Sequence, residues 1–284
     1  MKYLKQYKKM KTPITYYGGK QNLSKRIIAM IPEHKIYCEP FFGGGAVFFA
    51  KEKSELEVIN DHNKMLINFY QVCQNRFDEL QKSVSVSLHS ESEFYRAKDI
   101  YNNRVESNEI EKAWALWILS RMCHAGSFRG GWKYCNGTAG AHVGKVLKNK
   151  REEFKTELHE RLSEVQISCR DALKVIVNRD SKDTFFYLDP PYPGASQGHY
   201  TGYTENNLQD LVDMLSSIKG KFILSNYWTD TLRDAVRLNG WDYAEIEVTT
   251  HSGMNKRTRK STEVMVFNYK KMNNVEVTQK TLFA

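Results

Sequence analysis

The residues best suited to chemistry lie in FFYLDPPY, Phe185 to Tyr192. An apolar strand pattern delivers Asp189 to its carboxyl end, where open α/β sheets place their ligands. Pro190 and Pro191 fix φ and remove the two following N–H donors, leaving a stiff backbone rich in acceptors. A primary amine could present its two hydrogens to the Asp189 carboxylate and the Pro190 carbonyl. The Tyr192 ring adds a face on which a base could stack, a contact worth about 1–3 kcal/mol. A plain turn, which favours Asp and Pro, is the rival reading of the same residues.

A second cluster is YCEPFFGGGAVFF, Tyr37 to Phe49. Glycines between a strand and a helix permit close backbone approach to a ligand. The dinucleotide fingerprint G-x-G-x-x-G is not met, because counting from Gly43 its last glycine falls on Phe48. Asp61 ends the next strand pattern, where an acid can accept hydrogen bonds from ribose hydroxyls. Capping the following helix is the alternative for Asp61, and equally for Asp171 after the strand pattern VQISC. Tyr16, Tyr17, Gly18, Gly19 and Lys20 read alone as a turn ahead of a helix.

The elements that must hold these residues follow a rhythm. Strand patterns at Ile36–Cys38, Leu56–Asp61, Val165–Cys169, Thr184–Asp189 and Lys221–Ser225 alternate with helical spacing, as in AVFFAKEK from Ala46 and in Met65–Cys73. That alternation predicts an α/β fold, a mostly parallel sheet with helices on both faces. The segments from Trp241 and from Ser261 predict a closing antiparallel pair. Between about Asn63 and Leu162 the rhythm gives way to helices, Glu91–Asn103 and Glu109–Cys123, then to the Gly-rich, aromatic and basic stretch Ser127–Gly140. The expected organisation is a sheet domain of 1–62 and 163–284 with an inserted, mainly helical lobe of 63–162. Trp114, Trp117 and Ile118 have the spacing of lobe core rather than of a base platform.

Composition narrows the class. The chain has 284 residues, a formal charge of +9, 41% hydrophobic and 12% aromatic content, which excludes disordered, collagen-like and coiled-coil proteins. Excess Lys and Arg suits a polyanionic partner; plain solubility is the alternative. The short runs Lys148–Arg151 and Asn255–Lys260 read as solvated faces. No apolar stretch reaches the roughly 20 residues of a membrane span, and the start lacks the apolar core of a signal peptide. Cys38, Cys73, Cys123, Cys135 and Cys169 are odd in number and never spaced C-x-x-C, so no disulfide framework is expected and a reducing cytoplasm fits. Cys123, His124, Cys135 and His142 lack the paired spacing of a zinc site, and no metal is expected.

Taken together, YYGGK (Tyr16–Lys20), EPFFGGGAVFF (Glu39–Phe49), VIND (Val58–Asp61), Asp171, LDPPY (Leu188–Tyr192), FILSN (Phe222–Asn226) and KRTRKSTEVMVFN (Lys256–Asn268) resemble the Dam-type, alpha-group DNA adenine-specific amino-methyltransferases. The resemblance runs in order over nearly the whole chain. It implies a Rossmann-like S-adenosylmethionine-dependent methyltransferase sheet, an inserted DNA-recognition lobe, and methyl transfer to the exocyclic N6 of an adenine flipped out of double-stranded DNA. By position it places Tyr16, Tyr17 and Lys20 on the cofactor, Phe41, Gly43 and Gly45 around its methionine part, Asp61 on its ribose and Asp171 near its adenine. Asp189, touching cofactor and target, forms the catalytic motif with Pro190, Pro191 and Tyr192.

The same resemblance aligns Leu119–Gly131 with the family's recognition hairpin. It implies DNA contacts at Arg121, Arg129 and Lys133, with Arg129 reading a guanine through O6 and N7. A phosphate contact or a salt bridge is the alternative for that arginine. Ala125-Gly126-Ser127 replaces the family's usual Asn-Gly-Leu, and Thr15 stands where lysine is frequent, so GATC is one target among several. Asp189 favours adenine over cytosine, whose methyltransferases more often begin this motif with serine; a catalytically dead DNA-binding relative is the rival outside enzymes. A companion restriction endonuclease, and a monomer or weak dimer acting on cytoplasmic DNA, fit the same resemblance.

Overall fold

The computed structural model describes residues 10–124, 128–135, 137, 142–195, 200, 202–252 and 257–270. Within them, β1 (Ile36–Glu39), β2 (Leu56–Asn60), β3 (Gln166–Ser168), β4 (Thr184–Leu188), β5 (Lys221–Asn226), β6 (Asp242–Ser252) and β7 (Arg257–Phe267) form one sheet in the order β3-β2-β1-β4-β5-β7-β6. The first five neighbours are parallel, and β7 runs antiparallel to both β5 and β6. The expected α/β sheet with an antiparallel close is therefore the observed one, of Rossmann-like, doubly wound type. Asp61 and Asp189 fall one residue past their strands, on the loops that face the ligand side.

Alternation along each strand divides the core into two halves. Tyr37, Phe185, Tyr187, Ile223 and Met265 point to one face; Cys38, Phe186, Leu188, Leu224 and Val266 point to the other. Every residue of β4 is buried, as a parallel strand covered by helices on both sides requires. On the second face lie α9 (Ala172–Arg179), α10 (Glu205–Ser217) and α11 (Asp230–Asn239). On the first lie α1 (Ser24–Ile28), α2 (Ala46–Ala50) and the helices that connect β2 to β3.

Those connecting helices are α3 (Lys64–Asn75), α4 (Phe77–Val86), α5 (Glu91–Tyr101), α6 (Glu109–Met122), α7 (Val143–Glu152) and α8 (Glu157–Leu162). They share one hydrophobic core with the sheet, in which Tyr37 and Phe48 are continuous with Trp117 and Phe154. Trp114, Trp117 and Ile118 are buried there, as helical spacing predicts. An Asn108–Glu111 capping box starts α6, satisfying donors that the helix leaves open.

A buried ion cluster ties α8 to the sheet. Arg161 pairs through both terminal nitrogens with Glu57, donates to the Phe48 carbonyl at 2.9 Å and lies 3.6 Å from the centroid of the Phe48 ring. Lys51 reaches Glu57 at 2.6 Å. Burial raises the Glu57 pKa, but the Arg161 hydrogen bonds and the Lys51 charge outweigh it and hold this carboxyl below its usual range. Its contribution to stability is thus present above the ordinary Glu value and is lost as pH falls through the depressed one. Arg161→Met should cost about 3 kcal/mol of unfolding free energy at neutral pH, measured by urea denaturation, and its gap to the unaltered protein should narrow in acid as Glu57 takes up a proton.

Candidate active site

The carboxyl ends of β1, β2, β3 and β4 surround a cleft of about 580 Å³. It opens where the chain leaves β1 toward α2 on one face and β4 toward α10 on the other, the switch point at which open α/β sheets bind ligands. Asn60 stitches this rim together: its amide donates to the carbonyls of Pro40 and Arg170 at 3.0 Å each, and its oxygen accepts from the Arg170 N–H at 2.9 Å.

Tyr16, Tyr17, Lys20, Phe41, Gly43, Gly45, Asp61, Asp171 and Asp189 all line this one cleft. The turn after β1 needs its glycines, since Gly43 has φ 50° and Gly45 φ 66°, a left-handed conformation that side chains disfavour. A Cβ on Gly45 would also lie 2.5 Å from the Phe42 ring. Asp61 is 2% exposed and anchors the turn, accepting from the Gly43 N–H at 2.8 Å, the Asn63 N–H at 2.9 Å and the Tyr200 hydroxyl at 2.7 Å. Burial pushes its pKa up despite those hydrogen bonds. Asp171 caps α9 by accepting from the Lys174 N–H at 3.1 Å, and it does so on the rim of the cleft.

At the tip of β4 the Lys20 ammonium lies 3.0 Å from Asp189 Oδ1. Tyr192 reaches the same oxygen with its hydroxyl at 3.1 Å. Burial lowers the Lys20 pKa, but Asp189 and then Glu263 overcome it, so the side chain stays an ammonium. Burial raises the Tyr192 pKa well above its usual value, which keeps the phenol a donor. The hydroxyl of Tyr192 points inward, 2.7 Å from Ser225 Oγ, and its ring packs edge-on against Tyr227 at 4.8 Å. Pro191 lines the cleft beside Asp189, with Pro190 buried next to them and Tyr192 half-buried.

Several participants were missed by sequence reasoning. Glu39, 2% exposed at the end of β1, lines the cleft, accepts from the Tyr37 hydroxyl at 2.7 Å and is held well above the usual carboxylate range by burial. Its signal was available, because it ends a strand pattern as Asp61 and Asp189 do. Glu263 stands out as an acid inside the apolar run of β7. Tyr200 lies outside any periodic element, and no local pattern marks it.

The lobe residues separate. Arg129 and Lys133 are exposed, on a segment that returns against the end of α6 through the Cys123–Trp132 bridge. The Arg129 charge acts on the Tyr101 hydroxyl, a cleft-lining group. Arg121 does not join them. It turns back to the Thr15 hydroxyl at 3.0 Å and to the Pro13 carbonyl, and burial lowers its pKa to about 10. Ala125–Ser127, residues 1–9 and the start of the second basic run at 255–256 lie outside the described residues.

The family model of the D12 class N6 adenine-specific DNA methyltransferases matches residues 16–251, and the chain belongs to that family. It is an adenine-specific DNA methyltransferase with S-adenosylmethionine as its methyl donor. Among its relatives, the type II methyltransferase M1.LlaDCHI of Lactococcus lactis subsp. cremoris is 29% identical over 276 residues, covering 89% of this chain and 93% of the relative. The type II methyltransferase M.MjaIII of Methanocaldococcus jannaschii is 28% identical over 215 residues, 68% and 73% of the two chains. The DNA adenine methylase of Salmonella typhimurium is 25% identical over 277 residues, 92% and 96%. The cleft fits the donor: its size lies within the roughly 300–1,000 Å³ of small-molecule sites, a glycine turn forms one wall and buried acids stand at the strand ends.

Gly45→Ala combines a disfavoured backbone conformation with a clash against Phe42, and should cost about 2 kcal/mol in urea denaturation. Gly131→Ala, where a Cβ meets nothing within 4 Å, should stay under about 0.5 kcal/mol.

Proposed function

We propose that Asp189 and the Pro190 carbonyl grip the two hydrogens of the N6 amine of an adenine extruded from double-stranded DNA. The observation that carries this reading is the placement of Asp189 among the described residues: Oδ1 is taken by Lys20 and Tyr192, while Oδ2, on a cleft-lining carboxylate, is left for the amine. The N6 lone pair is delocalised into the ring, which makes it a poor nucleophile. Holding both hydrogens favours the pyramidal form, whose lone pair can attack. S-adenosylmethionine supplies an electrophilic methyl on a sulfonium, and Tyr16, Tyr17, Lys20, Phe41, Gly43, Gly45, Asp61 and Asp171 are the residues that would hold it. Asp189 raises the electron density on N6 more than it abstracts a proton, and the proton that N6 sheds on methylation passes to water. Positioning and preorganised acceptors lower the barrier, with no covalent enzyme intermediate.

The paired base must leave the duplex to reach this acid. Residues 1–62 and 163–284 form the catalytic part in this reading, and 63–162 the recognition part, with Arg129 and Lys133 contacting DNA. Arg121 serves instead as a tie between lobe and amino-terminal segment. The chain's relatives include type II methyltransferases and the modification methylase LlaI of Lactococcus lactis subsp. lactis, which supports a companion restriction endonuclease. Among the described residues no helix is long and apolar enough to cross a membrane.

Asp189→Ala should abolish tritium transfer from labelled S-adenosylmethionine while calorimetry still detects cofactor binding; near-normal methylation by this variant would refute the assignment. Arg129→Ala should weaken binding to the preferred duplex by about 1–3 kcal/mol and relax the sequence preference, scored by single-molecule sequencing of modified adenines. Arg121→Ala should lower the melting temperature and leave that preference intact.

A further inference from the structure

Behind the Asp189 carboxylate lies a second acid that the reaction as derived does not use. Glu263, on β7, is 8% exposed. Its Oε2 is 3.8 Å from the Lys20 ammonium and 3.4 Å from the Tyr192 hydroxyl. Lys20 therefore stands between two carboxylates, and the single Tyr192 proton is shared among Asp189 Oδ1, Ser225 Oγ and Glu263 Oε2. Four separate segments supply this cluster: the loop before α1, the exit of β4, β5 and β7. The groups facing Glu263 are Lys20, Asp189, Tyr192, Tyr187 and Ser225, with Ile246 its partner across β6.

We propose that Glu263 is a positioning residue for methyl transfer, which draws part of Lys20 and Tyr192 away from Asp189 so that the Asp189 carboxylate is less neutralised by them where it meets the amine. This rests on the reading of Asp189 given above. With Glu263 ionised, two carboxylates face one ammonium, the cluster carries a net negative charge, and Asp189 Oδ2 pulls strongly on the N6 hydrogens. With Glu263 protonated, Lys20 and Tyr192 serve Asp189 alone, the cluster is neutral and the pull weakens. Burial, reinforced by the Asp189 charge, raises the Glu263 pKa against the opposing effect of Lys20, so the change in charge state falls above the ordinary Glu range. The rate of the methyl-transfer step then rises with pH as Glu263 ionises.

Single-turnover methylation of a duplex, at saturating S-adenosylmethionine and across pH 5 to 9, tests this with Glu263→Gln, Glu263→Asp and Asp189→Asn. In Glu263→Gln the rate should fall about tenfold at the alkaline end and lie flat where the unaltered enzyme shows its acid limb, so that the two converge at low pH. Glu263→Asp should restore part of the rate and a displaced acid limb. Cofactor binding by calorimetry, titrating active protein, corrects each rate for folding losses. A corrected Glu263→Gln rate equal to that of the unaltered enzyme, or a rate ratio constant across pH, would overturn the proposal. Full activity in Asp189→Asn would instead overturn the reading of Asp189 itself, which separates the two failures.

Discussion

The site depends on holding one carboxylate in a fixed orientation at the tip of a fully buried strand. A single close cation would satisfy it and blunt it together. Asp189 gives one oxygen to both Lys20 and Tyr192, and as a residue it lines the cleft. Glu263 and Ser225 share those two partners in turn, which keeps Lys20 from belonging to Asp189 alone.

Such an arrangement needs a scaffold that cannot drift, and the sheet provides it. β4 is hydrogen-bonded between β1 and β5 and packed on both faces, so its end is fixed in every direction except the one open to ligand. The glycine turn is fixed by equally local means, with Asp61 holding the Gly43 N–H and Phe42 filling the space that any side chain on Gly45 would need. Asn60 binds the loops after β1 and β3 to the end of β2. Precision in the cleft thus comes from backbone hydrogen bonds and buried side chains.

The inserted helices are part of the same body. Their core merges with the first face of the sheet, Arg161 clamps α8 against Glu57, and Arg121 fastens the end of α6 to the segment that leads into Tyr16.

Much of this was written in the sequence, for a physical reason: strand-end acids, glycine turns and apolar alternation are local patterns, and a Rossmann-like sheet brings successive strand ends to one edge. That is why Asp61, Asp171 and Asp189 could be named as cleft residues without coordinates, and why every central strand was legible from its apolar run. The direction in which a long side chain points is not local. Arg121 and Arg129 sit eight residues apart with the same chemistry, yet one is drawn inward by the Thr15 hydroxyl and the Pro13 carbonyl while the other faces solvent. Nor could the meeting of Lys20, Asp189, Tyr192, Ser225 and Glu263 be read from any spacing, since their contacts span from three to more than two hundred residues of chain. Sequence determined which elements form and which acids end them; only the folded sheet, by crossing β7 back beside β5, decided that a second acid would stand behind the first.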